Sequence, residues 1–229
     1  MNIENALYVL SSVLFIFGIK RLSHPKTARS GNSIASMGML IAIVTTLLAN
    51  SNISMELVAI GIIIGAIIGA FFAIRVEMTQ MPQMVAIFNG FGGIASALIA
   101  AAEFLNPGEI LSTFSLATIS LSVFVGTLTF TGSFIAFGKL QGFVSGQPIV
   151  FPGQQILNAL IGISILGLAV YITTAPDNIN IFYILIALSA LIGIALTIPI
   201  GGADMPVVIS LLNSYSGIAA SSTGFVLNN

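Results

Sequence analysis

Long apolar runs alternate with short polar segments along the whole chain. Eight such runs can be drawn, at about 5–22, 33–49, 57–74, 82–102, 113–137, 154–173, 179–197 and 204–227. Each run has close to the roughly 20 residues that a helix needs to cross the hydrocarbon core of a bilayer. The pattern predicts an all-α fold, a polytopic bundle of about eight transmembrane helices that forms a single domain over residues 1–229.

The composition agrees with a membrane protein. Hydrophobic residues make up 57% of the 229 residues and charged residues only 6%, whereas soluble domains have about 25% charged residues. Mean hydropathy is +1.11. The net charge of −1 and the lack of a long basic cluster argue against a nucleic-acid partner. The chain has no Cys, and its single His, His24, lies in a polar loop, so the sequence predicts neither thiolate chemistry nor a metal site.

The charged residues between the runs predict the orientation of the helices. Lys and Arg follow only the first, third and fifth runs, as Lys20, Arg21, Lys26, Arg29, Arg75 and Lys139. The opposite ends carry only acidic residues, namely Glu4, Glu56, Glu103, Glu109 and Asp177. The positive-inside rule then places the N-terminus outside, with the odd-numbered helices running inward.

The fourth and eighth runs begin with the same motif. Met81-Pro82 and Met205-Pro206 are each followed by an Asn seven positions after the Pro, an aromatic residue two positions later, and then Gly-Ile-Ala. Pro suits the first turn of a helix, where its missing N–H has no partner in any case. Asn89 and Asn213 would then lie about two turns, roughly 10 Å, into their helices. Polar side chains at that depth are costly and usually functional, and we take the Asn213 copy as the more important.

These polar residues have two interpretations. The amides could hold helices together by hydrogen bonds, or they could line a proton pathway. Serines around Asn213 favour the pathway for that residue, whereas Asn89 lies among glycines and fits the packing role better. Thr127 and Thr131 could equally bond to their own helix. The full set of pathway candidates is Asn213, Asn89, Ser210, Ser214, Ser216, Ser221, Thr127 and Thr131.

A second candidate region precedes the two Met-Pro motifs. Asp204 would cap the eighth helix and favour the positive end of its dipole. Because Gly201-Gly202-Ala203 makes the same segment flexible, it could instead be a hinge or docking point for a soluble partner. Arg75 and Glu77 are either a comparable pair or anchors at the membrane boundary. The candidates for this coupling loop are Asp204, Met205, Pro206, Glu77 and Arg75.

Small residues at helical spacing predict close contacts between helices. They form one stripe in the third run, with Gly61, Gly65 and Gly69, and another in the fourth, with Ala86, Gly90, Gly93 and Ala97. The first, sixth and seventh runs are mostly Leu, Ile, Val and Ala. We expect these three helices to face lipid or to support the bundle from outside.

No Asp, Glu, Lys, Arg or His falls in the middle of any predicted helix. Asn, Ser and Thr can hold a chain of water molecules but cannot store a proton near neutral pH. If protons cross the membrane here, another subunit must supply the titrating residue.

Three motifs resemble the β subunit of proton-translocating nicotinamide nucleotide transhydrogenase. They are residues 75–79 before Met81-Pro82, residues 129–133 with 136–140, and residues 201–208 followed by 212–217. The similarity covers essentially the whole chain. It implies an enzyme that transfers hydride between NAD(H) and NADP(H) and couples this to proton movement across a bacterial or mitochondrial inner membrane. It also implies a dimeric complex, in which an α part binds NAD(H) and the β subunit ends in a soluble NADP(H)-binding domain.

The resemblance also assigns roles within the chain. Asn213 matches the membrane Asn implicated in proton passage, and Asp204 matches the acidic residue beside the soluble domain. Many family members have a His, regarded as the proton carrier, where this chain has Asn89. We therefore expect an α-type membrane subunit to supply a His close to Asn213 and Asn89. The resemblance implies no catalytic residue, nucleotide site or metal in this chain, which would end one helix short of the family's full span.

Two rival functions remain open. An ordinary secondary transporter would use Gly- and Pro-interrupted helices around a midplane substrate site. The Pro residues lie at helix starts instead, apart from Pro199 near a helix end. A purely structural membrane subunit would leave the polar faces of the fifth and eighth helices unexplained.

Overall fold

The computed structural model describes residues 3–49, 54–108 and 110–227. These residues form eight α-helices and no strand, as the pattern predicts. The helices are α1 Ile3–Leu22, α2 Pro25–Ala49, α3 Met55–Arg75, α4 Met81–Leu105, α5 Thr113–Gln141, α6 Gln154–Thr174, α7 Ile179–Thr197 and α8 Met205–Val226. Seven of them, α1 to α7, are long and apolar enough to cross a membrane. Glu109, used above to predict the orientation, lies outside the described residues.

Two helices extend further than their apolar runs predict. α2 begins at Pro25 rather than near residue 33, and α5 continues to Gln141 rather than ending near residue 137. Pro25 stands at the first helical position, which tolerates its missing N–H. α5 ends where Gly142 adopts a left-handed conformation with φ of 80°, which glycine adopts at little cost. Apolar runs therefore mark the membrane-crossing part of a helix and not its polar ends.

The described residues divide into two compact units, one up to Phe71 and the other from Phe72 onward. In the first unit, α1 and α2 pack as a close pair. A Cβ added to Gly18 would lie 2.9 Å from Ala35 Cβ, and one added to Gly31 would lie 2.7 Å from Gly18 O. Ser11 Oγ donates to Gly38 O at 2.7 Å. Glycine is required at Gly18 and Gly31 because any larger residue would push the two helices apart.

The stripe of small residues on α3 has no such contact. A Cβ added to Gly61, Gly65 or Gly69 would meet no atom within 4 Å, and none of the described residues of α3 is buried. The close approach predicted for this stripe is absent from the part of the chain that the structure describes.

In the second unit, α5 is the central helix and packs against α4, α6, α7 and α8. α4 and α5 come closest at Gly93 and Gly126, where a Cβ on Gly93 would lie 2.8 Å from Gly126 O. Ala86 and Ala97 of the same α4 face are also buried. The close-contact face predicted for α4 is confirmed. Because α5 runs antiparallel to both α4 and α8, those two helices point the same way.

α7 contributes more to the core than its apolar composition predicts. Phe182 and Leu185 are fully buried, and Phe182 stacks on Phe104 of α4 with ring centroids 4.1 Å apart. Gly193 lies against Leu128 and Thr131 of α5 so closely that it has no room for a Cβ. An apolar helix in a membrane protein can face either lipid or protein, because both surroundings are apolar.

Candidate functional site

The two Met-Pro motifs start their helices in the same way. A single 3₁₀ turn, Met78–Gln80 or Gly202–Asp204, precedes each helix. Met is then the first helical residue and Pro82 or Pro206 lies in the first turn. The predicted position of both prolines is confirmed. Each Asn therefore lies two turns from the end of the bundle that holds Asp204.

Asn89 joins three helices. Its Nδ2 donates to Ser133 Oγ of α5 at 3.0 Å, and its Oδ1 accepts a hydrogen bond from Ser216 Oγ of α8 at 2.9 Å. The side chain is buried, with 7% of its surface exposed. A buried amide needs such partners, since an unpaired polar group in an apolar interior is costly. The packing role inferred for Asn89 is therefore present in the structure.

Asn213 lies at the rim of the same cluster. It lines an open groove between α4 and α8, together with Val85, Phe88, Asn89, Gly92 and Ser216. Its side chain is exposed and makes no hydrogen bond to any residue that the structure describes. Ser216 Oγ lies 2.8 Å from the Asn213 carbonyl oxygen as well as near Asn89. Because a hydroxyl has one proton, Ser216 can donate to only one of these two acceptors at a time.

The other predicted pathway residues lie apart from this cluster. Ser210, Ser214 and Ser221 are exposed, and Ser214 Oγ donates to Ser210 O at 3.3 Å. Thr131 Oγ1 bonds back to Thr127 O at 3.2 Å, as its alternative interpretation predicts. Thr131 also packs on Gly193 of α7, so this face of α5 points away from the groove. Of the eight candidates, Asn89, Asn213 and Ser216 line the groove.

A second polar cluster lies further along the same three helices. Ser122 Oγ of α5 is 2.6 Å from Thr223 Oγ1 of α8, and Thr223 Oγ1 also donates to Ser96 O of α4 at 3.2 Å. All three residues are buried. Neither this cluster nor Ser133 is among the residues predicted for the pathway, although Ser133 lies in the 129–133 motif. Spacing was the available signal, because residues 122 and 133 lie three helical turns apart on one face of α5.

Thr129 lies on α5 between the two clusters. It is fully buried, and a Cβ on Gly93 of α4 would lie 2.9 Å from its Cβ. Its Oγ1 is one of three buried side-chain N or O atoms with no hydrogen-bond partner in the described part of the chain. Among the described residues, the Thr129 hydroxyl is therefore an unpaired group between the two polar clusters that join α4, α5 and α8.

The coupling-loop residues lie at the other end of α8. Asp204 occupies the N-cap position, but its side chain makes no capping hydrogen bond, so the predicted capping role is wrong. The 3₁₀ turn holds the segment before the helix, and Asp204 remains exposed. Met205 is fully buried whereas Pro206 is exposed. Arg75, the last residue of α3, and Glu77, just before the 3₁₀ turn that precedes α4, are both exposed.

Lys139 is the largest departure from the sequence analysis, which used it only as a loop cation. It lies in the last turn of α5 and is 4% exposed. Its Nζ donates to the carbonyl oxygens of Ile198 at 2.7 Å, Ile200 at 2.8 Å and Gln147 at 3.0 Å. Lys139 at the end of α5 is therefore buried, whereas Arg75 at the end of α3 is exposed.

The described residues contain no group of three or more His, Cys, Asp or Glu side chains that could hold a metal ion. The chemistry on offer in the bundle is hydrogen bonding by amides and hydroxyls. Such groups can pass a proton along a chain of hydrogen bonds, but they do not hold a charge at neutral pH.

Comparison with known proteins identifies the family. A family model described as NAD(P) transhydrogenase beta subunit matches residues 4–229. Two curated relatives named NAD(P) transhydrogenase subunit beta come from Rhodospirillum rubrum, one of them from a specified strain. Each is 45% identical over 235 residues, which cover 100% of this chain and 50% of the relative. The chain therefore spans about half the length of the curated relatives it matches. It belongs to the NAD(P) transhydrogenase beta subunit family.

Proposed function

We propose that this chain is the membrane part of an enzyme that transfers hydride between NAD(H) and NADP(H) and couples the transfer to proton movement across the inner membrane. Membership of the NAD(P) transhydrogenase beta subunit family supports the hydride reaction. The apolar helices support a multi-pass membrane location. Hydride chemistry belongs to the cofactors, which we assign to soluble domains outside residues 1–229. This chain contributes no catalytic residue to that step.

The proposal rests on the three polar residues at the groove, Asn89, Ser216 and Asn213, which we call the polar seam. Asn89, Ser216 and Asn213 form a polar patch that extends from the buried interior of the bundle to an open groove on its side, and Ser216 Oγ can donate either to Asn89 Oδ1 or to the Asn213 main-chain carbonyl oxygen. Apolar side chains on α4 and α8 have no cost in a membrane. Polar side chains at the same depth are costly and usually functional. The seam can hold water and pass protons to whatever lies in the groove.

A partner subunit completes the pathway. Because amides and hydroxyls cannot store a proton, a titratable side chain has to reach Asn213 from outside this chain. We propose that a helix of an α-type membrane subunit occupies the groove, with a His facing Asn213 and its apolar side on Val85 and Phe88. These two side chains are 47% and 40% exposed, which suits contact with an apolar helix. The whole complex is proposed to be a dimer.

The Asp204 end of the bundle is proposed to face the cytoplasm and the soluble domains. The distribution of Lys and Arg predicts this orientation. The exposed Asp204 would then meet the NADP(H)-binding domain and report the protonation of the seam to it. Coupling of this kind requires two states whose balance both sites influence.

Replacing Asn213 with Leu in the assembled enzyme tests this function. We expect cofactor-dependent proton uptake by reconstituted vesicles to fall at least about tenfold, because Leu can neither donate nor accept a hydrogen bond and so cannot hold water. Assembly of the complex should persist, since Asn213 makes no side-chain hydrogen bond within the described chain. Ser214→Leu is the matched control, one residue further along α8 and outside the groove, and it should retain proton uptake.

Two results would contradict the proposal. Unchanged proton uptake in the Asn213→Leu enzyme would remove Asn213 from the pathway. Loss of the complex on purification, in step with loss of uptake, would assign Asn213 to helix association instead.

A further inference from the structure

Lys139 makes an arrangement that the proposed pathway does not use. All three N–H groups of its ammonium are engaged, and each partner is a main-chain carbonyl oxygen rather than a carboxylate. Burying an ammonium group is costly unless its hydrogen bonds are complete. Hydrogen bonds from a charged donor are short and strong, which agrees with the distances of 2.7 and 2.8 Å to Ile198 and Ile200.

The three carbonyls come from two different connecting segments. Gln147 belongs to the segment between α5 and α6, while Ile198 and Ile200 belong to the segment between α7 and α8. The two segments also touch directly, since Gly202 N donates to Gly146 O at 2.8 Å and Ile149 N donates to Ile198 O at 3.3 Å. Lys139 thus joins both segments to the last turn of α5.

The position of these carbonyls favours a cation. Ile198 and Ile200 follow the C-terminus of α7, where the helix dipole concentrates negative partial charge. Removing the ammonium would leave three inward-facing carbonyl oxygens with fewer donors. Since a well-packed apolar residue often replaces a buried charge without loss of stability, a buried Lys here calls for a reason beyond stability.

α5 connects this junction to the polar seam. Ser133, which accepts the hydrogen bond of Asn89, lies six residues before Lys139 on the same helix, about 9 Å along its axis. The segment that Lys139 holds leads directly through residues 201–203 to Asp204 and α8. One rigid helix therefore links the buried amide of the seam to the loop that carries Asp204.

We propose that Lys139 is a positioning residue that makes the Asp204 loop move with α5, so that events at the Asn89 seam reach the loop. This inference rests on the proposed function, because it assigns the element that transmits coupling in that same site. Without the ammonium, the loop and α5 shift independently. Proton uptake then no longer accompanies each hydride transfer.

The test compares Lys139→Met, which keeps the length and removes the donors, with Lys139→Arg, which keeps the charge and the donors. Both are measured in the assembled enzyme in vesicles as protons taken up per hydride transferred. We expect Lys139→Met to lower this ratio at least about fivefold, while hydride transfer itself continues. Lys139→Arg should restore at least half of the ratio.

A merely structural role would lower hydride transfer and proton uptake in proportion and leave the ratio unchanged, and that result overturns the proposal. If Lys139→Met does not assemble, Lys139→Gln is compared with Lys139→Arg by the same ratio, since the Gln side chain is one bond shorter, carries no charge and has only two N–H groups for the three carbonyl oxygens. An unchanged ratio in Lys139→Gln overturns the proposal equally.

Wild-type enzyme and Asn213→Leu are measured alongside. No cofactor-dependent proton uptake in the wild type would contradict the proposed function itself. Normal coupling in the wild type, loss in Asn213→Leu and normal coupling in Lys139→Met would contradict only the role of Lys139.

Discussion

α4 and α8 begin with the same motif but place its Asn in opposite surroundings. Asn89 of α4 is buried and bonds to both α5 and α8, whereas the Asn213 side chain of α8 is exposed at the groove. Both amides lie two turns into parallel helices that start with the same 3₁₀ turn. The local motif therefore sets the depth of the amide, and the neighbouring helices decide whether it holds the bundle together or faces a partner.

The glycine of the motif shows the same contrast, since it is packed in α4 and open in α8. The Met of the motif shows the opposite contrast, since it is buried in α8 and partly exposed in α4. Gly93 of α4 contacts the α5 backbone, while a Cβ on Gly217 of α8 would meet no atom within 4 Å. At the helix starts, Met205 is fully buried and Met81 is 39% exposed. α8 is thus packed at Met205 and open at Gly217, whereas α4 is partly exposed at Met81 and packed at Gly93.

We expect the largest difference in the free energy of unfolding between variants of Met205 and Met81. Met205→Ala removes a fully buried side chain from the core and should lower the free energy of unfolding by about 2–5 kcal/mol. Met81→Ala should cost less than about 1 kcal/mol, because much of that side chain is already exposed. Thermal and denaturant unfolding of the detergent-solubilised chain measure both. Equal losses would mean that the two helix starts are packed alike.

Variants of Gly93 and Gly217 should give the next largest difference in the free energy of unfolding. A Cβ on Gly93 would lie 2.8 Å from Gly126 O and 2.9 Å from Thr129 Cβ. Because the first of these neighbours is backbone, the helices must separate, and Gly93→Ala should cost about 1–3 kcal/mol. Gly217→Ala should leave the same unfolding midpoint unchanged. A midpoint for Gly93→Ala that equals the wild type would contradict the close α4–α5 contact.

Much of this architecture could be predicted from the sequence because it is encoded locally. The apolar runs predicted the all-α fold, the Met-Pro pairs predicted helix starts with Pro in the first turn, and small residues predicted the close face of α4. Each of these depends on backbone geometry or on residue size along one helix.

The remaining features depend on contacts between distant parts of the chain. The glycines around Asn89 and the serines around Asn213 favoured different roles for the two amides, but the partners of Asn89, Ser133 of α5 and Ser216 of α8, could not be predicted from the local motif. Lys139 follows an apolar run like a loop cation, and its burial depends on two connecting segments folding over it. Asp204 has the residue type and position of an N-cap, but the preceding 3₁₀ turn leaves its side chain unbonded.

Exchanging the amides one at a time compares their structural roles directly. Asn89→Leu removes two hydrogen bonds between helices, and such bonds in membranes contribute on average about 0.6 kcal/mol each. We expect a loss of about 1–2 kcal/mol in the free energy of unfolding. Asn213→Leu should leave this quantity unchanged while it lowers proton uptake at least about tenfold. The idea of two separate roles fails if Asn213→Leu destabilises the chain as much as Asn89→Leu.

The smallest effect is expected at the serines, where a buried serine of α5 is compared with an exposed serine of α8. Ser133 is fully buried and accepts the hydrogen bond from Asn89 Nδ2, so Ser133→Ala should cost about 0.5–1.5 kcal/mol. Asn89 keeps its bond from Ser216, which limits the loss. Ser214 bonds only to its own helix among the described residues, and Ser214→Ala should be neutral because its hydroxyl is exposed.

Unfolding of both variants with Asn89→Leu as background adds a decisive comparison. Once Asn89 is gone, Ser133→Ala should cost less than it does alone, since contacting residues are not additive. Full additivity would mean that the Asn89–Ser133 hydrogen bond contributes nothing to the bundle.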